Sequence, residues 1–103
     1  MLHAVTLYYL CPEETLSAQR DAHKQWLIKG INAGIIIFAG PLRSGTGGYI
    51  LFHSEDVKNI HRYLAEDPFV IHKMVSVNVL TVLPALRANA FPALWAENAA
   101  SVD

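Results

Sequence analysis

The sequence has 103 residues, one domain's worth of chain, and with 52% apolar against 17% charged residues it belongs among folded globular proteins and not disordered ones. Eight Lys+Arg against nine Asp+Glu leave a formal charge of −1, which provides neither a basic stripe for a nucleic-acid backbone nor a polybasic patch for an anionic membrane. One cysteine, Cys11, excludes an internal disulfide framework and any multi-cysteine zinc site.

Leu2–Leu10 is rich in β-branched and aromatic residues and stops at Cys11-Pro12, which predicts a strand. No Lys or Arg precedes this run and no small-residue cleavage site follows it, so a secretory leader is not expected. No window reaches the roughly 18 uncharged apolar residues of a bilayer span, and the expected location is the cytoplasm. From Glu13 to Ala33 the pattern is helical, with Glu13 and Glu14 in the first turn, where the helix dipole favours them. Leu16, Arg20, His23, Leu27 and Ile31 recur at spacings of four, three, four and four and are expected to share the inward face. Gly34 is placed to end the helix as a C′ glycine.

Ile35–Ala39 and Tyr49–His53 are short apolar runs separated by Gly40–Gly48, which is turn chemistry throughout and predicts an antiparallel hairpin. Ser54 is the expected cap of a second amphipathic helix with Val57, Ile60, Tyr63 and Leu64 facing inward. Asp67-Pro68 reads as an N-cap and an N1 proline opening a short turn over Phe69–His72. Met74–Leu83 is the last long strand and Pro84 ends it. The expected division is therefore a domain over residues 1–83 and an extension over 84–103.

The order β-α-β-β-α-β predicts an α+β, ferredoxin-like fold: an antiparallel four-stranded sheet with both helices on one face. The other face of such a sheet is polar in a monomer. Here Leu2, Ala4 and Tyr8 line one side of the first strand, Val5, Leu7 and Tyr9 the other, and the second strand is apolar at every position. Both faces need cover, so a homodimer packed sheet to sheet is expected, alone or as the unit of a higher oligomer.

Five histidines invite a metal reading, but no pair has His-x-His or His-Glu-x-x-His spacing and no thiolates accompany them, so no metal site is read. His3, His53, His61 and His72 read as ordinary half-buried or solvated residues. His23 sits on the inward stripe with Leu16 and Leu27. There it is either a core histidine satisfied by a backbone carbonyl or a tyrosine hydroxyl, or a general base held in one tautomer by a carboxylate. Asp67 is the candidate carboxylate, since capping a helix leaves acceptor sites for a second partner. The Gly40–Gly48 segment lacks Gly-Lys-Ser/Thr and precedes a strand, so it reads as the rim of a pocket, with Arg43 as an anion contact, and not as a phosphate loop.

Arg20-x-x-His23, Gly34, Ala39-Gly40-Pro41-Leu42, Gly47-Gly48 and Asp67-Pro68-Phe69-Val70, in that order, resemble the YCII-related (YciI-like) family over residues 2–83. The resemblance implies the dimeric α+β barrel fold and an active-site pair at His23 and Asp67. Arg20, Arg43, Gly40, Pro41 and Phe69 are assigned as contacts to a small-molecule substrate. That family includes a dehydrochlorinase of a chlorinated hydroxyhydroquinone, and muconolactone isomerases share the broader fold. The implied function is general acid/base chemistry on a small ring-derived compound, by elimination or isomerisation, without metal or organic cofactor. Two other readings accompany it: a non-catalytic ligand-binding or assembly module, and a cofactor-free oxygenase. The sequence departs from the family at Lys73, where a glycine is frequent, and in the extension from Pro84.

Overall fold

A computed structural model describes the whole chain, Met1–Asp103. The first strand, β1 (Leu2–Tyr9), buries His3, Val5 and Leu7 on one face and leaves the intervening residues partly or fully exposed, as the two-residue period of a strand requires. Two helical segments follow, α1 (Glu13–Leu16) and α2 (Arg20–Asn32), then the hairpin β2 (Ile36–Pro41) and β3 (Gly47–His53). Next come α3 (Val57–Leu64), the single turn α4 (Pro68–Ile71) and β4 (Val75–Val82). The sheet order is β2-β3-β1-β4 with every pair antiparallel, the ferredoxin-like arrangement.

The core lies between the sheet and the helices: Val5, Leu7, Ile50 and Phe52 from the strands meet Leu16, Trp26, Ile60, Leu64 and Phe69 from the helices. Two glycines permit this packing. A Cβ on Gly47 would lie 1.9 Å from the carbonyl oxygen of Leu7, so β3 reaches β1 there only without a side chain. A Cβ on Gly30 would stand 2.5 Å from Ile36 Cδ1 and 2.9 Å from the Tyr63 hydroxyl, so its absence lets α2 press onto β2. An extra residue, Ile37, bulges from β2, and beyond it Phe38 faces away from the helices while Ile36 faces them.

The single helix expected over Glu13–Ala33 is two. Ser17 Oγ donates to the carbonyl of Glu14 at 2.8 Å, and Ala18 and Gln19 make three-residue turns back to Thr15 and Leu16. Helix α2 therefore starts afresh at Arg20, and its inward stripe is His23, Trp26, Leu27 and Gly30; Ile31, expected inward, is 45% exposed. At its end Gly34 has φ +80°, with Ile35 N–H donating to Gly30 O and Gly34 N–H to Ile31 O, a complete Schellman motif. The cap of α3 is Asp56, whose carboxylate accepts from Lys58 N–H, and not Ser54, which stands two residues back and accepts from Asp56 N–H.

The face of the sheet away from the helices is formed by Leu2, Ala4, Thr6 and Tyr8 of β1 with their cross-strand partners Tyr49, Leu51, Asn78, Leu80 and Val82, and with Phe38 of β2. His53, opposite Leu2, also lies on this face; no Asp, Glu, Lys or Arg does, and Phe38, Leu80, Val82 and Tyr8 are exposed. Beyond β4 the chain forms a two-stranded parallel ribbon, β5 (Leu86–Ala88) and β6 (Ala100–Val102), linked through a short turn at Ala93–Trp95. No helix is long and apolar enough to cross a membrane.

Candidate active site

Helices α2 and α4 lie side by side over the sheet, and the site forms where they meet it. Asp67 caps α4: its Oδ1 accepts from Phe69 N–H at 3.1 Å, with Pro68 filling the first helical position, where no N–H is needed. The same Oδ1 lies 2.6 Å from Nδ1 of His23, one turn into α2. This oxygen already accepts from a backbone N–H and accepts from His23 as well, with Nδ1 donating; in the neutral imidazole that arrangement puts the free lone pair on Nε2. Asp67 is fully buried and the His23 side chain is 15% exposed, so the pair is shielded from water on the carboxylate side. Oδ2 of Asp67 is buried with no partner, so the carboxylate bonds through one oxygen only.

The imidazole is fixed by stacking as well as by hydrogen bonding. Its centroid lies 4.1 Å from that of Phe69 with 12° between the planes, and 5.8 Å from Trp26 at 28°. Trp26 is itself clamped to Tyr63 by reciprocal bonds: the indole Nε1 donates to Tyr63 O at 3.2 Å, and the phenol donates to Trp26 O at 2.7 Å, with rings stacked 4.8 Å apart. Burial, then the nearby charges of Glu66 and Asp67, push the Tyr63 hydroxyl above its ordinary pKa, which keeps it a donor.

His23 borders a cleft of about 310 Å³, a volume suited to one small ring compound. Arg20, Leu27 and Phe69 line it from the helices, Leu7 and Tyr9 from β1, and Ala39, Gly40 and Pro41 from the end of β2. The structure thus brings together His23, Asp67, Arg20, Gly40, Pro41 and Phe69, with Asp67 behind the histidine and the others on the wall. Arg43 does not join them: it is exposed in the β2–β3 turn, outside the cleft lining, because β2 runs on to Pro41 and leaves only Leu42–Thr46 to turn the chain. Arg20 lines the cleft and also bonds Glu13, its Nη2 lying 2.5 Å from Glu13 Oε2.

Tyr9 and Trp26 also belong to the site or its support and were not singled out from the sequence. Tyr9 was legible by alternation, as the residue after Val5 and Leu7 on the helix-facing side. Trp26 stands three positions after His23, one turn along the same face of α2. His61 and His72 are exposed and His53 half-buried, while His3 is fully buried, bonded to Thr81 Oγ1 and Ser54 O.

No family model matches the chain, and no curated protein does. Among solved structures it is similar to a 5-chloro-2-hydroxyhydroquinone dehydrochlorinase from Burkholderia phenoliruptrix AC1100, in complex with 2,5-dihydroxybenzoquinone. The TM-score is 0.68 at 18% sequence identity, with 82% of this chain and 96% of that one covered. The likeness is one of fold.

Proposed function

We propose that this chain is a small, cofactor-independent enzyme of the YciI-like kind that performs general acid/base chemistry on a compact ring compound. The observation that carries the reading is the 2.6 Å hydrogen bond from His23 Nδ1 to buried Asp67, beside a cleft of one-ring size. Asp67 holds the imidazole in the tautomer whose Nε2 accepts a proton, and its carboxylate balances the charge His23 acquires. Phe69 and Trp26 hold the ring plane so that this lone pair keeps its direction.

The reaction is an elimination: His23 takes a proton from the substrate, the electron pair moves into the ring system, and halide leaves with the bond it breaks. The net change is loss of hydrogen halide, with no external oxidant or reductant. Return of the proton at another carbon gives isomerisation by the same machinery. The aromatic wall and the fold shared with a hydroquinone dehydrochlorinase support a hydroquinone-like substrate.

The enzyme acts as a homodimer, a reading supported by the largely apolar, partly exposed sheet face around Phe38, Leu80 and Val82, which carries no Asp, Glu, Lys or Arg. Two such faces cover each other without burying an unpaired charge. Light scattering should give the mass of two chains. The activity test is chloride release from chlorinated hydroquinones, followed with oxygen uptake as a control. His23→Ala should lower turnover by about 10²-fold or more. A folded His23→Ala protein with undiminished chloride release overturns the general-base role.

A further inference from the structure

Among the twelve residues lining the cleft, Arg20 is the one formally charged side chain; the others are apolar or aromatic residues, glycines, a proline and His23. That charge is already met. Arg20 donates to the carboxylate of Glu13, which lies outside the cleft lining, on the far side of the Ser17–Gln19 turn. Residues seven apart on a continuous helix stand about 10 Å apart along its axis. The turn shortens that reach and brings the two side chains together.

We infer that Glu13 determines specificity: by pairing with Arg20 it offsets the one positive charge on the cleft wall and selects ring compounds that carry no permanently anionic substituent. This rests on the cleft being the substrate site. A carboxylated ring approaching Arg20 meets the charge of Glu13 as well. At a separation of about 5 Å in partly solvated surroundings, that repulsion amounts to about a tenfold loss of affinity. A ring bearing only phenolic hydroxyls is indifferent to it. The Arg20 and Glu13 side chains are 44% and 69% exposed, so added salt should weaken the discrimination.

The test compares two probes, hydroquinone and 2,5-dihydroxybenzoate, by calorimetric binding at low ionic strength near neutral pH. Wild type, Glu13→Gln, Glu13→Ser and the double variant Glu13→Gln/Arg20→Gln are measured, with a thermal melt of each to confirm folding. Both single variants should bind the carboxylated probe about tenfold more tightly and hydroquinone within roughly twofold of wild type. The double variant should lose the gain. An unchanged ratio in the single variants, or an equal gain for both probes, overturns the role of Glu13 and leaves the cleft reading standing. Failure of both probes to bind any of the proteins overturns the cleft as a ring site, and the role of Glu13 with it.

Discussion

Replacing Lys73 by glycine should stabilise the protein by about 0.5–1 kcal/mol. Lys73 follows α4 with φ +56°, the left-handed region, and is the one residue other than glycine with positive φ. The turn around it is a Schellman motif: Met74 N–H donates to Phe69 O at 2.8 Å and Lys73 N–H to Val70 O at 3.0 Å. A residue with a Cβ costs about 1–2 kcal/mol in that conformation. Glycine removes this cost but returns about 0.5–1 kcal/mol through the greater freedom of its unfolded chain. The Lys73 side chain is exposed, so its loss empties no packed space. The net gain corresponds to a rise in Tm of about 2–5 °C for a chain of this size. Urea unfolding followed by tryptophan fluorescence gives the free energy directly. Lys73→Ala keeps the Cβ and should leave stability near wild type, and Lys73→Pro, which cannot adopt positive φ and has no N–H for Val70, should lower it. A Lys73→Gly protein no more stable than Lys73→Ala refutes the reasoning.

Asp67→Asn keeps the shape and the cap acceptor but removes the charge, so kcat should fall by about 10²-fold or more while Tm stays close to wild type; unchanged kcat would remove the carboxylate from the chemistry. Asp67→Ala loses both bonds of Oδ1, the cap to Phe69 and the bond to His23, and should lower stability by about 2–4 kcal/mol in chemical denaturation. His3 is held below its ordinary pKa of 6.5, first by burial and then by the positive charges of the N-terminus, His53 and His61, against the opposing bond to Ser54. The unfolded chain therefore takes up this proton first, and the stabilisation present above pH 6.5 is lost as pH falls from there toward the lowered folded value, with a slope of at most about 1.4 kcal/mol per pH unit for one proton. Denaturation curves across that window should be flatter for His3→Gln than for wild type, and equal slopes would contradict the assignment.

The elements that the sequence made legible are those whose signals are local. The Asp67-Pro68 cap, the C′ glycine at Gly34 and the alternation along β1 each act within a few residues, and each is found as read. The first helix was misread because its break depends on the Ser17 hydroxyl turning back on the Glu14 carbonyl, a competition that spacing does not reveal. The meeting of His23 with Asp67 spans 44 positions in sequence and is a property of how α2 and α4 pack. His3 was unremarkable in sequence, and its burial follows from the register that sets it opposite Thr81 and Phe52. Arg43 misled because its charge beside three glycines resembled a rim, whereas the hairpin register carries it past the cleft.

Helix α4 is a single turn, too short to persist alone in water. It is held at its start by the Asp67 carboxylate on Phe69 N–H, at its end by the turn through Lys73, and in the middle by the Phe69 ring, which is 2% exposed and stacked on His23. The group that closes the helix is therefore the group that orients the imidazole, and the residue that donates to the cap also supplies the surface on which the imidazole lies. Neither the carboxylate nor the ring can shift without the other, which ties the proposed proton acceptor to the integrity of four residues. The unbonded Oδ2 gives the carboxylate no second anchor, so its aim rests wholly on the Oδ1 contacts.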